Sequence, residues 1–257
     1  MSEQLPALHA ATLVLFDEHE PGPARLLMIE RASQMSFAGG ALVFPGGRVE
    51  EDDRLVAQRY AIRRDDPDQG RGIGARVAAI RETIEEVGVA VAVDPVPTPA
   101  LLREWCERLA RQEPFSELLR EADAVVDLDE LVGFARWCPN LGGHKRFDTR
   151  FYLARTTHAG RIEVDGGETT RHLWMTAQQV IDNADAGHHR IIFPTRRNLE
   201  RLAAYPSFDA AVAHARSITP ATISPWIADS DGEKWLCIPD NLGYPVTRAP
   251  LDQALKN

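Results

Sequence analysis

The stretch Ala75-Arg76-Val77-Ala78-Ala79-Ile80-Arg81-Glu82-Thr83-Ile84-Glu85-Glu86-Val87-Gly88 decides how this chain is read. At ~100° per residue, an α-helix here sets Val77, Ile80, Ile84 and Val87 on one face, which must pack against a sheet. Glu82, Glu85 and Glu86 are related by i, i+3 and i+4 and project together from roughly the opposite side. Gly88 suits the left-handed position that ends such helices. Like charges at these spacings cost a helix roughly a few tenths of a kcal/mol per pair, so folding does not favour the cluster. A hard divalent cation reverses that sign, because Mg²⁺ takes carboxylate oxygens and keeps positions for water and phosphate oxygens. The bland alternative is a solvated acidic face, which many surface helices carry.

Two neighbours strengthen the metal reading. Arg81 adjoins the cluster and can hold a carboxylate in a bidentate pair, fixing the geometry of the others. Gly46-Gly47 follows Pro45 at the end of an apolar run, where missing side chains permit close backbone approach to a ligand, although Gly-Gly after Pro is also common as a plain turn.

Further out, Thr12 to Phe16 and Leu26 to Glu30 are apolar β-formers separated by Glu20-Pro21-Gly22-Pro23, so they read as two strands joined by a turn. Ala41 to Phe44 is a third short strand, and the polar stretch Arg48 to Gly74 delays the next element. After the helix, Val89 to Val93 reads as a buried strand. Asp94-Pro95-Val96-Pro97-Thr98-Pro99 breaks the chain, and Leu101 to Ala122 has helical spacing, interrupted at Pro114. Leu128 to Trp137 is expected as a further short helix. Asp148 to Arg155 alternates like a strand, and Thr176 to Ala184 and Pro194 to Ala204 read as helices. Strands thus interleave with helices, the pattern of an α/β fold. A single domain over 1–257 is expected, with insertions at about 54–73 and 95–140, since so short a helical piece would struggle to build its own core.

The composition is that of an ordinary globular protein, with 44% hydrophobic and 26% charged residues. A formal net charge of −9 argues against nucleic acid as a partner, since such binding runs on Lys and Arg displacing counterions. No stretch approaches the ~20 apolar residues of a membrane span, and MSEQLPALHA has no basic and then apolar leader, so no membrane and a cytoplasmic location are expected. Cys106, Cys138 and Cys237 form no CxxC pair and support neither a disulfide framework nor a zinc site.

The helix residues match the Nudix box, G-x5-E-x7-R-E-U-x-E-E-x-G-U, with U a bulky apolar residue. The second half is present as Arg81-Glu82-Thr83-Ile84-Glu85-Glu86-Val87-Gly88-Val89, with Thr83 at the first U. The first half resembles Gly47 followed after five residues by Asp53 in place of Glu, and 27 residues rather than seven then separate Asp53 from Arg81. An interrupted box of this kind resembles the coenzyme A diphosphatases of the mammalian peroxisomal type and their bacterial relatives. Ser33-Gln34-Met35-Ser36-Phe37, Val43 to Gly47, Trp137-Cys138-Pro139, Arg146 to Phe151, Glu168 with Trp174, and Pro194-Thr195 are similar to segments of that branch. The resemblance covers roughly Leu13 to Ala204.

That resemblance implies a Nudix-like α/β/α sandwich with a mixed central sheet and a helical insertion, holding Mg²⁺ or Mn²⁺. It makes Glu82 and Glu86 the metal ligands, Glu85 a further one and the Gly46 carbonyl a backbone ligand, with Arg81 orienting a glutamate. Asp53 is left out of the ligand set, because the insertion lengthens its link to the helix and Asp is shorter than Glu. The substrate is then a small nucleotide derivative whose diphosphate is split by water, with Glu85 or Glu168 as the base. For coenzyme A or acyl-coenzyme A the products are 3′,5′-ADP and (acyl-)4′-phosphopantetheine. The 3′-phosphate asks for a cation: Lys145, Arg146, Arg190, Arg196 and Arg197 are available, Arg146 is favoured with Gly47 for substrate contact, and solubilising surface charge is the alternative. An ADP-ribose or NADH diphosphatase is a second reading. A catalytically silent nucleotide sensor is a third, against which the crowded carboxylates speak. The Leu101 to Ala122 helices could cap the site, pair two subunits as a homodimer, or merely pack.

Overall fold

The structure, a computed structural model, describes residues 6–33, 38–62, 72–141, 146–156, 169–230 and 232–256. The chain opens with strands β1 (Ala7–Asp17), β2 (Arg25–Arg31), β3 (Leu42–Val43) and β4 (Gly46–Arg48), then helix α1 (Glu51–Arg59), β5 (Ala61–Ile62) and the long helix α2 (Ile73–Val87). β6 (Val93–Asp94), α3 (Pro99–Ala110), α4 (Phe115–Glu121) and β7 (Val125–Asp127) follow. Next come β8 (Val132–Trp137), β9 (Arg146–Arg155), β10 (Thr169–Met175), α5 (Ala177–Asp185), α6 (Phe193–Ala203) and α7 (Phe208–Ser217). The end is β11 (Thr222–Ile223), β12 (Trp226–Ser230), β13 (Glu233–Cys237), β14 (Arg248–Pro250) and α8 (Leu251–Lys256).

Among the described residues the main sheet has eight strands, in the order β10-β2-β1-β9-β8-β11 with β3 on β2 and β4 on β1. It is mixed: β1 runs parallel to β9 and β8 to β11, while the other pairs are antiparallel. β1 lies inside it, and Leu13, Val14, Leu15 and Phe16 are all buried, as a strand covered on both faces requires. Ala11, Leu13 and Leu15 join Val77, Ile80, Ile84 and Val87 of α2 in one core, while Val14 and Phe16 join side chains of α5, α6 and α7 in another. Helices therefore cover both faces, as the α/β/α expectation requires. The four apolar residues of α2 have no exposed surface, and each contributes about 1.5–3 kcal/mol by that burial.

One edge of β1 is shared. Near its end it pairs with β2, Phe16 opposite Leu26, and near its start with β4, Thr12 opposite Gly46 and Ala11 opposite Gly47. That division brings the Gly-Gly segment alongside β1 and under the side chains of α2. α2 ends as expected, with Gly88 at φ 63° and its N–H on the Ile84 carbonyl at 2.9 Å.

Three expectations need correction. Leu128 to Trp137 is not a helix: a single 3₁₀ turn covers Leu128–Glu130, and β8 then joins the sheet beside β9. Its register shifts between Gly133 and Ala135, which interrupts the period of two and hides the strand. The helical stretch at 95–140 accordingly ends well before 140, with α3 and α4 separated at Pro114. Of Val89 to Val93 only Val93 lies in a strand, because Ala92 takes a left-handed φ of 57° that breaks extended pairing; Val89 and Val91 are buried without a ladder. Residues 54–59, placed in an insertion, continue α1.

Candidate active site

The two halves of the interrupted motif meet in the interior. Asp53 has no exposed surface and stands in the first turn of α1, where its Oδ2 accepts the Glu50 N–H at 2.7 Å. From α2, Arg81 donates to both its oxygens, Nε to Oδ1 at 2.9 Å and Nη2 to Oδ2 at 3.2 Å. Arg81 Nη2 also reaches the Arg48 carbonyl at 2.9 Å. Asp53, set aside on its spacing, is thus the fixed partner that anchors Arg81. Lengthening a loop from about seven to 27 residues costs only about 1.2 kcal/mol in closure entropy, so an excursion there need not part the two halves. Although burial opposes its charge, the Glu82, Asp53 and Glu50 anions raise the Arg81 pKa, so the guanidinium stays charged.

So anchored, Arg81 turns Nη1 toward two of the glutamates, 3.0 Å from Glu82 Oε1 and 3.3 Å from Glu85 Oε2. Glu86 points elsewhere: Oε2 accepts the Gly46 N–H at 2.9 Å and Oε1 lies 3.9 Å from Arg31 Nη1. Among the described residues, then, no three acidic, histidine or cysteine side chains converge as a ready-made ion site. Nor are the carboxylates a solvated face: the Glu82, Glu85 and Glu86 side chains are only 15%, 20% and 5% exposed. Burial, and next to it the Glu85 charge, push the Glu82 carboxyl up to about 7 although Arg81 pulls it down. Hard oxygen donors crowded and desolvated in this way fit a divalent cation.

Gly46 and Gly47 are explained by close approach. A Cβ at Gly46 would strike the Ala11 carbonyl of β1, and one at Gly47 would fall onto the Glu82 carboxylate. The space at Gly47 is therefore filled by Glu82, which narrows its expected part in substrate contact to the wall it adds to the cleft. Thr83, at an apolar position of the motif, is buried with its hydroxyl on the Ala79 carbonyl at 2.7 Å, so no polar atom is stranded there.

A cleft of about 660 Å³ opens over this corner, lined by Gly46, Gly47, Arg81, Glu82 and Glu85 on one side and by Arg146, Phe147 and Trp137 on the other. Arg146 opens β9, and its buried Nε has no hydrogen-bond partner among the described residues. The other candidate cations are used elsewhere: Arg190 Nη1 donates to the Gly39 carbonyl at 3.1 Å, Arg196 pairs with Asp185 at 2.7 Å and Arg197 with Glu200 at 2.6 Å. Glu168 and Lys145 lie outside the described residues. Asp148 is structural, held by Arg136 at 2.8 and 2.6 Å. Arg31 was missed; it lines the cleft from the end of β2, its buried Nε has no hydrogen-bond partner among the described residues, and nothing in its local sequence marks it. Asp53 could have been found, since the motif itself points to its position.

These features together define a class of enzyme, the Nudix hydrolases, and comparison with known proteins agrees. A family model of the NUDT19 Nudix domain matches residues 57–202, so the chain belongs to the Nudix hydrolases, in the NUDT19 branch. Diphosphohydrolases of this family use divalent metal ions. A crystal structure of a Nudix hydrolase from Alicyclobacillus acidocaldarius is similar with a TM-score of 0.69 and 28% identity, covering 81% of this chain and 96% of that one. A putative nudix hydrolase 7 of Caenorhabditis elegans is 24% identical over 90% of this chain and 73% of its own length. The acyl-coenzyme A diphosphatase NUDT19 of Gallus gallus is 27% identical over 74% of this chain, which spans 64% of that protein's length.

Proposed function

We propose that the chain hydrolyses the diphosphate of coenzyme A or an acyl-coenzyme A, releasing 3′,5′-ADP and (acyl-)4′-phosphopantetheine. The observation that carries the reading is the cleft that joins the Glu82 and Glu85 carboxylates of α2 to Arg146, whose buried Nε has no partner among the described residues. A second phosphate set apart from the diphosphate suits such a cation. The apolar wall, with Leu8, Trp137, Leu141, Phe147 and Ile192, suits the pantetheine and acyl portion. The similarity to an acyl-coenzyme A diphosphatase supports the same substrate class.

In this reading Glu82 and Glu86, with Glu85 and the Gly46 carbonyl, would hold Mg²⁺ or Mn²⁺, which would supply positive charge for the diphosphate and make a water more acidic. Arg81, fixed by Asp53, keeps Glu82 and Glu85 in position. Glu85, or Glu168, takes the proton of the attacking water as its oxygen bonds to phosphorus and the phosphate leaving group departs. Arg146 binds the 3′-phosphate and sets the substrate's orientation.

Coenzyme A, acyl-coenzyme A, dephospho-coenzyme A, ADP-ribose and NADH assayed side by side with Mg²⁺ or Mn²⁺ test the proposal. Coenzyme A thioesters are expected to give the highest kcat/KM, and Arg146→Gln to lower it at least about tenfold for coenzyme A while leaving dephospho-coenzyme A almost unchanged. Preference for ADP-ribose or NADH overturns the assignment.

A further inference from the structure

A second cavity, of about 860 Å³, lies at the β8 and β11 edge of the sheet and, among the described residues, shares only Phe151 with the catalytic cleft. Among the described residues its walls carry Arg76, Arg136, Arg150, Arg201 and Arg216 against one carboxylate, Asp129. Arg136 is taken by Asp148. Among the described residues Arg76, Arg201 and Arg216 form no salt bridge to a carboxylate, and Arg150 feels Asp148 only at a distance, since that carboxylate is held by Arg136.

Arg201 is the sharpest case. It is 2% exposed, and its contacts are neutral: Nε to His214 Nε2 at 3.0 Å, Nη1 to the Phe134 carbonyl at 3.0 Å, and the Phe134 and Tyr244 rings at 4.1 and 5.2 Å. Beyond these it has only the neutral Tyr244 hydroxyl within hydrogen-bonding range, and among the described residues neither its buried Nη2 nor Nε of Arg76, which is 5% exposed and lies over Tyr152, meets an acceptor at close geometry. His214 does not compensate: its Nδ1 meets the Tyr205 hydroxyl at 2.7 Å while Nε2 accepts from Arg201, and burial and Arg201 hold its pKa down, so the ring is neutral. A buried guanidinium without an anion is costly, and several guanidinium groups lining one cavity suit the oxygens of a phosphate.

We propose that this cavity is a second ligand site, separate from the catalytic cleft, that takes the phosphate of a small phosphate monoester whose organic part rests on Phe134, Leu242 and Tyr244. A multivalent anion suits several guanidinium groups better than a carboxylate does, and the aromatic and aliphatic wall gives the organic part an apolar seat.

The test is calorimetric titration of the full chain with inorganic phosphate, phenyl phosphate and acetate, at constant ionic strength and in EDTA so that no metal can hold phosphate in the cleft. Saturable binding is expected, tighter for phenyl phosphate than for phosphate and weakest for acetate. Arg150→Gln and Arg216→Gln should each weaken it at least about tenfold, and Arg146→Gln, in the cleft, should leave it unchanged. Arg216 is exposed, so its variant keeps the test valid if Arg150→Gln fails to fold. Absence of saturable binding, equal affinity for phosphate and phenyl phosphate, or binding lost in Arg146→Gln but kept in the other two overturns the proposal.

Discussion

At the scale of single residues, the site rests on one bare backbone position and one costly carboxylate. Gly47 has no side chain because the Glu82 carboxylate occupies that space. Gly47→Ala is therefore expected to lower kcat at least about a hundredfold by moving Glu82, with the melting temperature changed far less; near-normal turnover would show that Glu82 need not lie there. Glu82 is an acid whose folded pKa, about 7, stands above its ordinary 4.5. Without metal, the folded chain then binds more protons than the unfolded chain between those values, so stability falls as pH rises through that window. Glu82→Gln should consequently stabilise the metal-free protein at pH 8 by on the order of 1–2 kcal/mol, and by nothing near pH 4.5, while it abolishes turnover. Urea unfolding at the two pH values measures this, and a variant no more stable at pH 8 would remove the strain assigned to Glu82.

At the scale of elements, α1 and α2 are joined by a buried ion pair rather than by chain proximity. Asp53→Asn leaves Arg81 charged, buried and short of its bidentate partner, which costs about 3–5 kcal/mol. Urea titration should show a lower midpoint with an unchanged slope, and a loss below about 1 kcal/mol would mean that the pair is not what docks α1. Asp52, one residue earlier, ties the inserted helices to the same element, accepting the Ser116 N–H at 2.9 Å and its hydroxyl at 2.5 Å. The start of α1 thus fixes both Arg81 and the helical insertion. α2 and α3 were legible, because an apolar face at helical spacing is a local signal, whereas the strand expected at 89–93 fails at the left-handed Ala92. β8 was not, since its strand character comes from pairing with β9 across a register shift.

At the scale of the whole molecule, the two apolar cores lie on opposite faces of the sheet and neither needs a metal to close it. EDTA is accordingly expected to abolish hydrolysis while leaving the far-ultraviolet circular dichroism unchanged, with activity returning on addition of Mn²⁺. Collapse of the spectrum on chelation would instead make the metal part of the fold. No helix among the described residues is long and apolar enough to cross a membrane. β12, β13, β14 and α8 gave no sequence signal that bore on function; the structure seats them through Leu236, Ile238 and Tyr244 on the core beneath the second cavity.

By itself the amino-acid order determined the α2 helix, its apolar face, its acidic cluster and the family they resemble, because helical periodicity and a short motif are properties of neighbours along the chain. Only the tertiary structure decided that Asp53 reaches Arg81 across 27 residues, that Glu82 fills the space above Gly47, and that Arg31 and Arg146 face the same cleft. Those relations depend on which strands become neighbours in the sheet. Burial then turns such neighbours into ion pairs or leaves their charges open for a ligand.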